Sequence, residues 1–174
     1  NDQNRRLPPA DDQLSWRVHI LPYVEQAALH GQFDPKQPWD AAANRRHADV
    51  RVMPYTSPLD TTEAAATRAR VFTGPDTLFP PGERPLNLNG PDVTDGTSNT
   101  FLTVEAADAV PWPQPRELTY TPGGALPALG HPQRPAGFIA AFADGSVKFI
   151  PAAAADAARR AAATATAGDA APGL

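Results

Sequence analysis

Cysteine is absent from the 174-residue sequence. The chain therefore contains no disulfide, no thiolate metal site and no cysteine nucleophile. Its length is that of one ordinary domain, which can build a core without such cross-links. We expect packing and hydrogen bonds to hold the fold together.

Lysine is also scarce, since Lys36 and Lys148 are the only two beside thirteen arginines, and the formal net charge at pH 7 is -4. A protein that binds the phosphate backbone of nucleic acid needs a basic surface. The composition therefore argues against a nucleic acid partner. The sequence also lacks a run of about 18 apolar residues, the length that a membrane span needs, and it does not open on a signal peptide.

Catalytic motifs are missing as well. None of the four serines stands in a G-x-S-x-G motif, and neither the Walker nor the Rossmann glycine pattern occurs. His19, His30 and His47 do not form a ligand motif such as H-E-x-x-H, and His131 has no nucleophile or carboxylate at motif spacing. We predict that the chain is not an enzyme and has no cofactor, apart from the calcium alternative below.

Proline and glycine are abundant, with 21 and 12 residues, so turns and long loops are expected. A helix is predicted from a Ser15 N-cap to a Gly31 C-cap, with an interruption at Pro22. Asp40 is the predicted N-cap of a second helix over residues 41–47. An alanine-rich helix is predicted over residues 152–167.

Strand signals are strongest in the second half of the chain. Asp144-Gly145 is a typical tight-turn dipeptide between two apolar segments, so residues 137–142 and 146–150 are predicted to form a hairpin. The β-branched and apolar run over residues 100–106 predicts a central strand. Shorter strands are predicted at Val50 to Val52 and over residues 71–73, and residues 76–91 and 110–133 are predicted to be loops.

Oxygen-bearing side chains cluster around Asp95. Asp92, Asp95 and Asn99, with Glu105 further along, offer the ligand type that calcium prefers, and Asp144 could join them if the two turns meet. The spacing is not that of an EF-hand. We favour the alternative in which these side chains bond to nearby backbone groups in local turns.

Two tryptophans, Trp39 and Trp112, are candidate ligand-contact residues, because aromatic faces stack well on sugars and peptides. Such residues are more often core or loop anchors, and we favour that interpretation.

Several motifs resemble a family of pseudopilin-like proteins with a prepilin-type N-terminus, best known from planctomycete bacteria. The family is called domain of unknown function 1559 or solute-binding family 10. The motifs that carry this resemblance are Leu14-Ser15-Trp16-Arg17-Val18, Leu21-Pro22-Tyr23-Val24-Glu25-Gln26, Pro38-Trp39-Asp40 with Asn44, Val71-Phe72-Thr73-Gly74-Pro75, Val93-Thr94-Asp95-Gly96-Thr97-Ser98-Asn99-Thr100, Val104-Glu105-Ala106, Val110-Pro111-Trp112, His131, Gly137-Phe138 and Phe142-Ala143-Asp144-Gly145-Ser146-Val147.

The chain departs from the family pattern at two places. The family usually has a cysteine before a serine near Tyr55 to Pro58, where this chain has Thr56 and Ser57 and no cysteine. His131 also stands further from the Asp144 turn than is common, through the insertion Pro132-Gln133-Arg134-Pro135.

The resemblance implies an α+β fold in which a pilin-like antiparallel sheet packs against helical segments and carries long loops rich in proline and glycine. It also implies that a prepilin leader and a hydrophobic N-terminal helix precede Asn1 in the full-length protein. We then expect an extended lead-in over residues 1–13, a pilin-like globular domain over residues 14–150, and an alanine-rich helix and tail over residues 151–174.

The function implied is that of a non-enzymatic extracytoplasmic domain, in the periplasm or at the cell surface and anchored in the inner membrane before assembly. It assembles into, or primes, a type II secretion or type IV pilus-like filament, with other pilin-like subunits or the secretion machinery as partners. The alternative is a cell-surface module that binds a small solute or a glycan.

Overall fold

The computed structural model describes residues 7–10, 13–61, 65–82, 85–88, 90–169 and 174, and the chain divides into two compact units. Unit 1 contains Ala69–Asp108 and Glu117–Leu174, and unit 2 contains Pro8–Arg68 and Ala109–Arg116. Most of the predicted lead-in, at residues 1–6, 11 and 12, lies outside the described residues.

Helices of unit 2 are short. They are α1 (Trp16–His19), α2 (Ala27–His30) and α3 (Ala42–Ala48), with 3-10 turns at Leu21–Val24 and Met53–Tyr55. The predicted first helix is thus divided, because Pro22 opens a 3-10 turn instead of continuing α1. The predicted caps are confirmed, since the Ser15 hydroxyl accepts a hydrogen bond from the Arg17 amide at 3.3 Å and Gly31 ends α2.

Two local predictions in unit 2 are wrong. Ala41, and not Asp40, is the N-cap of α3, so the helix begins one residue later than predicted. Val50 and Val52 form no strand, because the chain turns into the 3-10 helix directly after Val52. Pro54 lies within that turn, where its fixed φ suits a helical start.

The α+β fold class is confirmed. The strands are β1 (Ala66–Arg70), β2 (Phe72–Thr73), β3 (Phe101–Pro111), β4 (Leu118–Thr119), β5 (Gly137–Phe142) and β6 (Val147–Pro151). One sheet has the order β1-β3-β5-β6, and β2 pairs with β4 in a parallel two-stranded sheet. β5 is antiparallel to both β3 and β6, which confirms the predicted hairpin around Asp144-Gly145.

Other strand predictions had the right place and the wrong extent. The central strand continues to Pro111, beyond its predicted end at residue 106, and β4 lies within a segment predicted to be loop. β1 was not predicted, because Ala66–Arg70 alternates arginine with small residues and carries little hydrophobic signal.

Each unit has its own core of buried apolar side chains. In unit 1, the rings of Phe101 and Phe142 are tilted against each other with centroids 5.2 Å apart, and buried alanines of α4 (Asp156–Ala163) complete the cluster. α4 is shorter than the alanine-rich run predicted. It ends where the Thr164 hydroxyl donates to the Ala161 carbonyl and the Ala165 amide donates to the Asp76 carbonyl. In unit 2, Phe33 meets Trp112 edge-on at 5.6 Å.

In the part of the chain that the structure describes, no helix has both the length and the apolar character needed to cross a membrane.

Candidate functional site

The Asp95 carboxylate holds the segment that follows α4. Its two oxygens accept hydrogen bonds from the backbone amides of Ala167 and Gly168, at 3.0 and 2.9 Å. The Asp95 amide donates to the Ala165 carbonyl at 3.1 Å. Asn99 stays within its own turn, since its side-chain amide donates to the Asp95 carbonyl at 2.9 Å. Asp95 therefore bonds to backbone groups, which is the interpretation favoured from the sequence. Several of these groups lie about 70 residues further along the chain and not in the local turn.

The Asp144 carboxylate serves the hairpin turn itself. It accepts hydrogen bonds from the Ser146 hydroxyl at 2.7 Å and from the Ser146 amide at 2.8 Å. These two bonds, led by the one from the hydroxyl, lower the pKa of Asp144 below its usual range. This geometry is a local Asx-type turn.

The two turns meet in space, which the sequence left open. The Asp144 amide donates to the Thr97 carbonyl at 3.1 Å, and the Ala143 amide donates to the Thr100 carbonyl at 2.9 Å. The third acidic candidate, Asp92, accepts a bond from the Asn87 amide at 3.2 Å. The described residues contain no group of three acidic or histidine side chains arranged to hold a metal. Calcium binding, the alternative that we did not favour from the sequence, stays untested.

Arg17 is the most deeply buried cation of unit 2. The residue has no exposed surface, its Nε donates to the Trp112 carbonyl at 2.8 Å and one terminal nitrogen donates to the Gln114 carbonyl at 2.9 Å. The guanidinium also lies 5.0 Å from the centre of the Trp16 ring. Arg17 therefore joins the first helix to the distant segment around Trp112 through directed hydrogen bonds.

Tyr55 contacts both Arg17 and Trp112. Its hydroxyl donates to the Arg17 carbonyl at 2.7 Å, and its ring lies 5.8 Å from that of Trp112. Burial raises the pKa of Tyr55 far above its ordinary value, because the phenolate would be cut off from water, and the nearby Arg17 charge opposes this only in part. The tyrosine stays neutral across the physiological range.

The two candidate ligand-contact tryptophans occupy different environments. Trp112 is 1% exposed, and its indole nitrogen donates to the Val50 carbonyl at 2.8 Å, so the ring is part of the unit 2 core. Trp39 is partly exposed, packs against the edge of the same core, and has the Arg45 guanidinium 5.7 Å from its ring centre. The partly exposed ring of Trp39 offers surface for stacking.

A half-open cavity of about 710 Å³ lies in unit 1. Its wall is formed by the loop before β5, the start of β5, and one side of α4. His131 is in this wall, is buried, and its Nδ1 accepts a hydrogen bond from the Gln133 amide at 3.1 Å. Three arginines, Arg134, Arg159 and Arg160, line the same cavity.

The outer face of the β5–β6 hairpin is apolar and exposed. The register pairs Ile139 with Phe149 and Ala141 with Val147, so these four side chains share one face. The opposite face carries Phe138, Phe142 and Ile150, which are buried in the core. We call Ile139, Ala141, Val147 and Phe149 the hairpin face.

Comparison with known families identifies the first part of the chain. Residues 2–81 match the family model described as Protein of unknown function (DUF1559), and this is a little under half of the sequence. This segment of the chain therefore belongs to that family. The resemblance was expected over nearly the whole chain, and its motifs after residue 81 lie outside the match. No curated protein and no solved structure matches the chain.

The structure explains one family motif and adds a site that the sequence did not suggest. Arg17 stands in the motif around Trp16, and its bonds to distant carbonyls give the motif a structural role. The cavity arginines were missed, because Arg134 lies in a loop and Arg159 and Arg160 in a helix far along the chain. No spacing rule connects them, although Arg159-Arg160 in an alanine-rich helix was visible as an isolated basic pair.

Proposed function

We propose that this chain is the non-enzymatic, extracytoplasmic part of a pseudopilin-like protein that assembles into, or primes, a type II secretion or type IV pilus-like filament. Family membership of residues 2–81 supports this proposal only in general terms, because the family function is unknown. The observation that carries it is the hairpin face.

The hairpin face has the properties of a surface that awaits a partner. Val147, Phe149 and Ile139 are 65%, 45% and 39% exposed, and they lie together on one side of a four-stranded sheet whose other side is already packed. Contiguous exposed apolar side chains mark interaction sites more often than isolated ones do. β6 is also the edge strand of its sheet.

The occupant that we propose is the hydrophobic N-terminal helix implied by the family resemblance. An apolar helix that leaves the membrane needs an apolar surface to cover it, and the hairpin face supplies one without any charged side chain among its four residues. The partners are then other pilin-like subunits, and the location is the outer side of the inner membrane before assembly.

Cysteine cross-linking in the full-length protein tests this proposal, because the 174 residues contain no cysteine that would compete. Val147→Cys, combined with single cysteines along the upstream apolar segment, is expected to form disulfides in intact cells. Met53→Cys is the matched control, since Met53 is apolar and 67% exposed but lies in unit 2.

Three observations would overturn the proposal. They are an upstream sequence with an ordinary cleavable signal and no apolar helix, equal cross-linking from Val147→Cys and Met53→Cys, and protease sensitivity of the domain only after the inner membrane is opened. Filaments in sheared cell fractions, lost in Val147→Lys and kept in Met53→Lys, would support it.

The second candidate is a cell-surface module that binds a small solute or a glycan. The cavity of unit 1 favours it, because a volume of about 710 Å³ is within the range of small-molecule sites. Neither Trp39 nor Trp112 lines this cavity. A glycan that stacks on Trp39 would use a different surface, and loss of glycan-array binding in Trp39→Ala would support that form of the proposal.

A further inference from the structure

We propose that the cavity of unit 1 is a binding site for a small organic monocarboxylate with an apolar body. This inference rests on the solute-binding candidate and not on filament assembly. The two sites share one neighbour, because Arg134 of the cavity also lies 6.0 Å from the Phe149 ring centre of the hairpin face. Four properties of the cavity support it: its charge, its partly exposed arginines, its walls and its rigidity.

The charges around the cavity leave an excess of positive charge. Asp156 is the carboxylate on α4, and it pairs with both Arg159 and Arg160, at 3.5 and 2.5 Å. Arg134 has its own partner in Glu105. These five groups therefore sum to one positive charge, because one carboxylate serves two guanidinium groups. A singly charged anion would balance them.

Two of these arginines have buried donors without an acceptor. The Nε–H groups of Arg134 and Arg159 are shielded from solvent and have no hydrogen-bond partner among the described residues. A buried donor without an acceptor is costly and calls for a specific explanation. Because protein covers these Nε atoms, a ligand carboxylate would meet other parts of the two side chains, which are 30% exposed for Arg134 and 26% exposed for Arg159. A guanidinium can also pair with a carboxylate through its terminal nitrogens.

The rest of the cavity wall is largely apolar. Leu126 and Leu129 line it, together with Pro127, Pro132 and Pro135, which add rigid apolar surface. Inorganic phosphate or sulfate would leave this surface without a partner. A carboxylate joined to an aliphatic or aromatic body would use both the arginines and the wall.

The wall is built before any ligand arrives. The Ala107 amide donates to the Ala128 carbonyl at 3.0 Å and the Gly130 amide donates to the Glu105 carbonyl at 2.8 Å, so the loop before β5 is fastened to β3. Gly130 has φ of +91°, and a Cβ there would lie 2.9 Å from the Gly137 carbonyl oxygen, so this close approach requires glycine. A rigid wall lowers the entropic cost of binding.

Titration of the purified chain with phenylacetate, followed by NMR and calorimetry, tests the proposal. Phenylacetamide has the same shape without the charge, and inorganic phosphate has charge without the apolar body. We expect saturable phenylacetate binding that shifts amide signals of residues 126–138 and 156–160. Binding of the amide and of phosphate should be weaker by at least about tenfold.

The variants are Arg134→Gln and Arg159→Gln, and each should weaken phenylacetate binding by about tenfold or more. Arg159→Lys keeps the charge but not the fork of donors, and should weaken it by a smaller factor. Arg116→Gln, at an exposed arginine outside the cavity, is the control and should bind as the unchanged chain does.

The outcomes distinguish the carboxylate site proposed here from the more general proposal that the cavity binds a solute. Equal binding of phenylacetamide overturns the carboxylate site but leaves a solute site in this cavity, and equal binding of phosphate also overturns it. No saturable binding of any probe up to about 10 mM overturns both, as do signal shifts confined to residues outside the cavity. If a glutamine variant is unfolded by circular dichroism, the result for Arg159→Lys decides.

Discussion

Arg17 shows how a charged residue serves as a structural connector. Its side chain is fully buried, and two backbone carbonyls, of Trp112 and Gln114, receive its hydrogen bonds 95 and 97 residues along the chain. A planar guanidinium can make both bonds at once, and no other side chain has this set of donors. The arginine therefore fixes the position of one segment on another in unit 2.

Substitution of Arg17 by methionine is expected to destabilise unit 2. The change keeps much of the side-chain volume but leaves two buried carbonyls without their donors, at a cost on the order of 3 kcal/mol. Urea denaturation followed by tryptophan fluorescence measures the loss. Arg45→Met, at an exposed arginine of α3, is the control and should cost less than about 1 kcal/mol, because it loses only the contact with the Trp39 ring. Equal stability of the two variants would contradict the structural role of Arg17.

Tyr55 predicts how stability depends on alkaline pH. Its pKa is raised by burial in the folded chain, whereas in the unfolded chain the phenol ionises near its ordinary pKa of about 10. Above that pH the unfolded state loses a proton that the folded state keeps, so stability should fall as the pH rises from about 9 to about 11.

Tyr55→Phe should remove this part of the alkaline loss. The variant also loses the hydrogen bond to the Arg17 carbonyl, so at neutral pH it should be less stable by about 1 kcal/mol. Denaturation midpoints across the pH series measure both effects. Tyr23→Phe, at a tyrosine that is 68% exposed, should follow the unchanged chain, and a profile for Tyr55→Phe as steep as that of the unchanged chain would contradict the assignment.

Gly145 and Gly130 are both required by the backbone conformation, but only one of them is also required by close packing. Gly145 in the β5–β6 turn has φ of +86° and open space where a Cβ would stand, whereas Gly130 has a similar φ of +91° and a carbonyl oxygen 2.9 Å from that position. The first position requires only the left-handed conformation, and the second also requires the absence of a side chain.

Alanine at these two positions should separate the two costs. Gly145→Ala should cost about 1 kcal/mol, which is the strain of the backbone alone, and Gly145→Asn should cost less because asparagine tolerates that conformation. Gly130→Ala should cost about 2 kcal/mol more than Gly145→Ala, since the loop before β5 must move away from the strand. Thermal unfolding measures the three values, and equal losses at the two glycines would contradict the close approach.

For the molecule as a whole, the exposed apolar surface that matters most is the hairpin face, where three large side chains lie together. Lys148 lies on the same edge strand, but its amino group donates to the Leu174 carbonyl at 2.8 Å and stands 4.4 Å from the Phe142 ring centre, on the core side. The outer side of β6 therefore lacks the lysine that often protects an edge strand from association, and the cation near it is Arg134, whose guanidinium lies 6.0 Å from the Phe149 ring centre.

The hairpin face predicts concentration-dependent self-association of the isolated chain. Val147→Lys should suppress it, and since Val147 is 65% exposed the stability of the monomer should change by less than about 0.5 kcal/mol. Sedimentation velocity over a range of concentrations measures the association. Met53→Lys is the matched control and should associate as the unchanged chain does, so an equal effect of both lysines would indicate charge alone.

Features that depend on a few neighbouring residues could be predicted from the sequence. The Ser15 cap, the break at Pro22, the hairpin at Asp144-Gly145 and the Asx-type turn all follow from hydrogen bonds and backbone preferences within about four residues. The α+β class and the membership of residues 2–81 in their family were likewise readable from local patterns.

Which distant groups meet is a property of the folded chain alone. No periodicity in the sequence connects the residues that meet in three places. Asp95 bonds to the segment after α4, Arg17 bonds to the segment around Trp112, and Arg134 and Arg159 line one cavity. The extent of β3 and the existence of β1 also depended on their neighbours in the sheet. Such contacts are selected by tertiary packing, because a buried polar group bonds to whatever partner the fold brings within reach.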